Sequence, residues 1–327
     1  MSPKVLSVRQ GRALMNLSLQ FVHLKHGTFL QSSKDQWATK VQSEGWKGYW
    51  IPFKDQSSKK NLQAAHKVKT SIADIGVGCD LVMLFIHGGG MVKGNALMYL
   101  ANYRAWMKEL QIKYGVKIGI LTIEYGLSPE NPYPCALNEC VAAYRYLVEE
   151  RGIDSRRIVI SGDSAGGNLT LTTTLKIRDE YPHLGAAAGQ VLFSPWVMCP
   201  KPLKDSMDDY ISNDGGRIYI EAYTQNLASV QTSQYAAPIR AATLAGLPRM
   251  LIFIGGTETL RPSIDGFVEK AIADGVQVEA HTKSGMPHDY ALLEDVSSAK
   301  IVYEVDEIIG KFIANINDEN VKRSVAL

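Results

Sequence analysis

Six stretches of the chain are apolar over the length of a β-strand, and amphipathic helical patterns lie between them. The stretches are residues 80–88, 117–125, 157–162, 189–196, 249–256 and 276–282. All but the last are almost continuously hydrophobic, which is typical of strands buried on both faces of a parallel sheet. Helices are predicted over residues 135–152, 262–275 and 297–315. This alternation predicts a doubly wound α/β sheet.

Two regions interrupt the alternation and divide the chain. The first region, residues 1–42, predicts helices without strands. It is followed by residues 45–53, which predict an antiparallel strand leading into the sheet. Residues 200–235 are polar and irregular, and long insertions in such sheets commonly lie above the carboxyl ends of the strands, where ligands bind. We therefore expect a core of residues 43–199 and 236–327, an N-terminal cap segment over 1–42, and a cap insertion over 200–235.

Composition narrows the class of protein. The 327 residues are 46% hydrophobic and 21% charged, as expected of a globular protein with a large core. A net charge of +2 gives no argument for a nucleic-acid or membrane partner. No run approaches the roughly 18 apolar residues that cross a bilayer. The four cysteines lack metal-binding spacing, so we expect a cytoplasmic protein without metal or cofactor.

Residues 162–166, with the sequence GDSAG, match the G-x-S-x-G motif between a predicted strand and a predicted helix. This context predicts a nucleophile elbow, in which Ser164 occupies a sharp turn and presents its hydroxyl above the sheet. The flanking glycines are expected because a Cβ would clash at so tight a crossing. A plain glycine-rich turn and a phosphate loop are the alternatives, but neither phosphate-binding glycine pattern is present.

A second glycine motif, HGGG at residues 87–90, ends the apolar stretch 80–88. Consecutive glycines let backbone N–H groups converge on one point, as in the oxyanion holes of lipases and esterases. His87 is expected to anchor this loop through hydrogen bonds and not to act as a base. The alternative is an ordinary glycine turn after a strand.

A serine nucleophile needs a base and an acid that orients it, in the chain order Ser, Asp or Glu, His. His183 comes too early, and His281 lies within a predicted strand as an ordinary sheet histidine. His288 follows that strand in a loop that can reach Ser164. We predict that His288 is the base.

The predicted acid is Glu258, at the carboxyl end of the strand that precedes the base. Four other carboxylates compete with it. Asp265 is expected on the following helix, and Asp289 adjoins the base with its side chain directed elsewhere. Glu294 and Asp295 come after the base, which breaks the expected order.

With these motifs the chain resembles the hormone-sensitive-lipase family of α/β-hydrolases. The resemblance is carried by HGGG at 87–90, YGLSPENPYPCAL at 125–137, GDSAGGN at 162–168, ETLR at 258–261, and His288. It implies an α/β-hydrolase fold with an eight-stranded, mostly parallel sheet, helices on both faces and a helical cap. Residues 44–53 and 255–267 are also similar to fungal members, including carboxylesterases and steryl acetyl hydrolase-like proteins.

The resemblance also implies the oxyanion donors. They would be Gly89, Gly90 and Ala165, with Gly88 serving the turn. Gly126 stands where the family commonly has arginine, Glu258 where it commonly has aspartate, and Pro262 where an acidic residue often follows.

These residues together predict a serine carboxylic ester hydrolase whose partner is a small-molecule ester. Trp196, Met198 and Tyr210 would line the substrate pocket, although ordinary cap packing explains them equally well. A biosynthetic tailoring enzyme that transfers the acyl group to another acceptor is the main alternative. A ligand receptor, similar to the plant gibberellin receptors that lack the histidine base, is less consistent with His288. A homodimer stays an open alternative.

Overall fold

The computed structural model describes residues 37–57, 60–61, 63, 71–197, 205–293 and 296–325. The predictions for residues 1–36, including the proposed helical part of the N-terminal cap segment, lie outside this part of the chain. So do Met198 and Cys199 of the predicted core and residues 200–204 of the insertion.

A single sheet of eight strands forms the centre of the molecule, as the family resemblance implies. The strands are β1 Thr39–Ser43, β2 Trp46–Ile51, β3 Leu81–Ile86, β4 Ile118–Ile123, β5 Ile158–Asp163, β6 Gly189–Phe193, β7 Met250–Gly255 and β8 Val278–Lys283. Their spatial order is β1-β2-β4-β3-β5-β6-β7-β8. β2 pairs antiparallel with β1 and β4, and every other pairing is parallel. The mostly parallel sheet and its antiparallel entry strand are therefore confirmed.

The N-terminal boundary of the sheet was predicted wrongly. Residues 1–42 were expected to contain no strand, but Thr39–Ser43 is the edge strand β1. Only Val41 of β1 is buried, so this strand has no apolar run to reveal it. It is held by its backbone pairing with β2, through a turn at Gly45 with a φ of +76°. That left-handed backbone favours glycine.

Seven α-helices are described, and they cover both faces of the sheet. They are α1 Leu100–Glu109, α2 Cys135–Arg145, α3 Ser164–Glu180, α4 Asn213–Thr224, α5 Ala228–Gln231, α6 Arg261–Ala273 and α7 Ala299–Val325. A π-helical turn extends each of α1 and α2, over Leu110–Tyr114 and Tyr146–Glu150. The observed α7 runs ten residues beyond its predicted end at residue 315, through a mostly exposed polar stretch.

Alternation along the buried strands divides the core into two layers. In β3, Leu84 packs into one hydrophobic cluster with α2 and α3, and its neighbour Phe85 packs into another with α1 and α7. Successive side chains of a strand point to opposite faces, so a strand covered by helices on both sides is buried along its length and is mostly apolar. This explains why β3 to β7 are nearly continuous apolar runs. The sheet edge β8 is partly exposed and carries polar residues.

Candidate active site

The turn at Ser164 has the geometry of a nucleophile elbow. β5 ends at Asp163 and α3 begins at Ser164, whose φ is +49°. Such a left-handed backbone is strained in a residue other than glycine. A Cβ on Gly162 would lie 2.5 Å from the carbonyl oxygen of Gly166, and a Cβ on Gly166 would lie 2.6 Å from that of His87. Glycine is therefore required at both flanking positions.

The HGGG loop is tied to this elbow by the side chain of Asp163. The N–H of Gly88 donates to Oδ1 of Asp163 at 2.8 Å, and the hydroxyl of Tyr99 donates to Oδ2 at 2.8 Å. Gly89 and Gly90 have φ angles of +104° and +65°, which favour glycine. Because Gly88 bonds to Asp163, its N–H serves the loop structure, and Gly89 and Gly90 are the remaining glycine N–H groups of the motif.

His87 is a structural residue of the loop and lies fully buried. Its Nδ1–H donates to the carbonyl oxygen of Gly88 at 2.8 Å, and its ring stacks on Tyr125 with centroids 4.3 Å apart. Burial lowers the pKa of His87 to about 4, so the imidazole is neutral at physiological pH. The hydroxyl of Tyr125 also donates to the carbonyl oxygen of His87, at 2.7 Å.

Glu258 and His288 form a buried pair on adjacent loops. The Nδ1 of His288 lies 3.0 Å from Oε2 of Glu258, and both side chains are at most 2% exposed. Burial raises the pKa of Glu258, and the neighbouring imidazole opposes part of that rise. Asp209 connects the two loops, because its carboxylate accepts the N–H of Thr259 at 2.7 Å and that of His288 at 3.1 Å. No sequence motif pointed to Asp209.

The other nitrogen of the His288 ring contacts a second carboxylate. Oδ2 of Asp289 lies 3.1 Å from Nε2 of His288, so the expectation that Asp289 points elsewhere was wrong. The reversal results from the backbone of Asp289, whose φ is +54°, and from its N–H, which donates to Oγ of Ser194 at 3.0 Å. Asp265 lies on α6, as predicted, and pairs with Arg261 there. Glu294 and Asp295 lie outside the described residues.

A cavity of about 180 Å³ brings several of the predicted site residues together. Its lining includes Gly89, Gly90, Ser164, Trp196, Tyr210 and His288. Glu258 lies behind His288 and does not line the cavity, and Ala165 is the buried second residue of α3. The lining residues that were not predicted from the sequence include Tyr99, Asp163, Tyr219 and Asp289.

Tyr210 and Trp196 line the cavity and also hydrogen-bond to the backbone of His288 and Ser164, respectively. The hydroxyl of Tyr210 donates to the carbonyl oxygen of His288 at 2.9 Å, and its ring lies edge-on to the imidazole. The N–H of Trp196 donates to the carbonyl oxygen of Ser164 at 2.8 Å. Tyr219 of α4 covers the cavity from the insertion, since a Cβ on Gly90 would lie 2.7 Å from its ring.

Neither a metal site nor a membrane span is found in the part of the chain that the structure describes. The described residues contain no group of three or more His, Cys, Asp or Glu side chains able to hold a metal ion. Within the described ranges, no helix is both long and apolar enough to span a bilayer. Cys79, Cys135 and Cys140 are free thiols.

Comparison with known proteins places this geometry in a family. The family model for the alpha/beta hydrolase fold matches residues 83–292. Esterase LipI of Mycobacterium tuberculosis is 30% identical over 218 residues, which are 64% of this chain and 65% of that protein. An acetyl-hydrolase of Streptomyces hygroscopicus is 29% identical over 203 residues, which are 60% of this chain and 63% of that protein. The match therefore spans less than two thirds of the length of either relative.

The structural comparison covers nearly the whole chain. A crystal structure of a hormone-sensitive lipase from a metagenome library has a TM-score of 0.71 and 25% identity, covering 97% of this chain and 93% of that one. The hormone-sensitive lipase of Bos taurus is 39% identical over 98 residues, which are 29% of this chain and 12% of that protein. The chain thus belongs to the α/β-hydrolase fold family and, within it, to the hormone-sensitive-lipase family.

Proposed function

We propose that this protein is a serine carboxylic ester hydrolase that works through an acyl-enzyme on Ser164. One observation carries the proposal. Ser164, in a strained turn, and His288, bonded through Nδ1 to Glu258, line the same cavity as Gly89 and Gly90. Relatives named esterase and acetyl-hydrolase support an ester substrate.

In this mechanism His288 takes the proton of the Ser164 hydroxyl through Nε2 while the serine oxygen attacks the acyl carbon. Glu258 holds Nδ1–H and stabilises the imidazolium that forms. The N–H groups of Gly89, Gly90 and Ala165 would receive the negative charge on the former carbonyl oxygen, and one such donor is typically worth about 10²–10³ in kcat.

The second half of the reaction releases both products. His288 returns its proton to the leaving alcohol, then takes a proton from the water that attacks the acyl-enzyme. The acid is formed and Ser164 is regenerated, so no metal or organic cofactor is required. Trp196 and Tyr210 would hold the substrate at the cavity wall, and Met198 is proposed with them on sequence grounds alone.

A fluorophosphonate probe and a panel of p-nitrophenyl esters test the proposal. The wild-type protein should be labelled once, at Ser164, and should hydrolyse at least one ester. Ser164→Ala should abolish labelling and lower kcat by about 10⁴-fold or more. Ser284→Ala, at an exposed serine after β8, is the matched control and should keep both activities.

Three results bear on the alternatives. Absence of labelling would contradict the proposal and favour a ligand-binding role. Labelling followed by release of the acid supports hydrolysis. Labelling followed by transfer of the acyl group to an added alcohol or amine, with little free acid, would instead support the tailoring enzyme.

A further inference from the structure

His288 lies between two carboxylates, and only one of them has a place in the mechanism above. We propose that Asp289 is a positioning residue that holds the Nε2–H of His288 in the resting enzyme, so that Nε2 must exchange Asp289 for Ser164 before the reaction begins. This inference rests on the proposed function of Ser164 and His288. It assigns Asp289 a role that neither the G-x-S-x-G motif nor the HGGG motif suggests.

The distances define the resting contact. Nδ1 of His288 is 3.0 Å from Oε2 of Glu258, and Nε2 is 3.1 Å from Oδ2 of Asp289. An ionised carboxylate can only accept hydrogen bonds, so two such contacts require a proton on each ring nitrogen. The geometry therefore matches an imidazolium held from both sides, whereas a general base needs an unprotonated Nε2.

The backbone keeps Asp289 in this position. Side chains of consecutive residues ordinarily diverge, but the φ of +54° at Asp289 turns its carboxylate back toward the ring of its neighbour. The N–H of Asp289 donates to Oγ of Ser194 at 3.0 Å, which fixes the turn from the end of β6. Asp289 is 6% exposed, so water competes little for the contact.

Other charged and titratable groups contact His288 or line the same cavity. Glu258 comes from the loop after β7, Asp163 from the end of β5, Tyr210 and Asp209 from the insertion, and Lys93 lines the cavity from the loop after β3. Burial alone would lower the pKa of His288, but the carboxylates of Asp289 and Glu258 outweigh it and raise that pKa well above the usual value. Burial and the charge of Asp289 likewise raise the pKa of Asp163.

Before Nε2 can exchange Asp289 for Ser164, the ring must lose one proton. The Nε2 proton leaves the imidazolium for solvent, and Nδ1–H stays on the hydrogen bond to Glu258. The neutral ring then offers the Nε2 lone pair to the hydroxyl of Ser164. Because Asp289 favours the charged ring, the free enzyme should need a higher pH to become active than an ordinary histidine base would require.

Asp289→Asn tests the role directly, because it removes the charge and keeps the shape. The acid limb of the pH profile of kcat/KM should move to lower pH by about one unit or more, as expected when a contacting carboxylate is removed. Asp208→Asn, at an exposed acid of the insertion, is the matched control and should leave the limb in place. If the Asn variant does not fold, Asp289→Gly removes the same charge and suits the positive φ.

A second measurement does not depend on ester turnover. In protein labelled with ¹⁵N-histidine, with the His288 signals assigned by their loss in His288→Gln, the ring should titrate at lower pH in Asp289→Asn than in the wild type. An unchanged ring titration and an unchanged acid limb would overturn the proposal. Failure to hydrolyse any ester would remove the proposed function, but the ring titration would still report the contact with Asp289.

Discussion

On one side of the cavity, around Ser164, most close contacts involve backbone atoms, whereas around His288 they involve side chains carried on loops. Gly162 and Gly166 let β5 and α3 cross close to the carbonyl oxygens at the end of β3. Glu258, Asp209, Asp289 and Tyr210 surround the histidine instead. Ser164, the proposed nucleophile, is thus positioned by the absence of neighbouring side chains, whereas His288, the proposed base, is positioned by the charge and hydrogen bonds of its neighbours.

After Ser164→Ala, the largest effect on activity is expected on the His288 side, from Glu258→Gln. The variant is nearly isosteric, but an amide can present its NH₂ group to Nδ1 and favour the wrong tautomer. We expect kcat to fall by about 10³–10⁴-fold with little change in the thermal midpoint. Ester kinetics and a thermal melt measure the two quantities. A fall of less than tenfold would show that Glu258 does not orient the base.

Alanine substitutions at two helical glycines, Gly166 and Gly266, test whether the close backbone contacts around Ser164 require glycine. A Cβ added at Gly166 would meet the carbonyl oxygens of Ile86 and His87, which cannot move cheaply. Gly166→Ala should therefore destabilise the protein by about 1–3 kcal/mol and also lower esterase activity. Urea unfolding and ester kinetics check both effects.

The matched control for that variant is Gly266→Ala. Gly266 is also a helical glycine, but a Cβ there would meet nothing within 4 Å. Alanine at this position should stabilise the protein by about 0.5–1 kcal/mol and leave the kinetics unchanged. If both alanine variants behaved alike, the close crossing at the elbow would not be what requires glycine.

The smallest effect on activity is expected from Asp209→Asn. This change keeps one hydrogen-bond acceptor and removes the charge that joins the loops of Thr259 and His288. Stability should fall by about 1.5–3 kcal/mol, since hydrogen bonds to charged groups contribute this much. We expect kcat/KM to fall less than in Glu258→Gln, because Asp209 contacts only the backbone of the base. A larger loss than that of Glu258→Gln would reverse the order.

The same contrast explains what the sequence could predict. Strands β3 to β7 were found because their burial on both faces leaves nearly continuous apolar runs, and the elbow was found because its crossing demands glycines. Edge strand β1 buries only Val41 and was missed. Close backbone packing leaves a strong signal in residue type, whereas pairing at a sheet edge leaves little.

The environment of His288 was harder to predict. Its pairing with Glu258 followed from chain order. The direction of the Asp289 side chain, however, depends on a positive φ that cannot be predicted from the residue type. Asp209 lies in a polar segment where nothing distinguishes it from Asp208. Side-chain networks between loops depend on backbone angles and distant partners, neither of which a local pattern contains.

The carboxylate of Asp163 binds two residues, Gly88 and Tyr99, that lie 75 and 64 residues before it in the chain. Through Gly88 and Tyr99 it connects the glycine loop after β3 and the start of α1 to the residue next to Ser164. The position of Ser164 relative to the glycine loop is thereby fixed by contacts that involve no residue of the insertion. Insertion residues other than Asp209 and Tyr210, which contact the loop of His288, can therefore change to admit new substrates while Ser164 and the glycine loop keep their relative position.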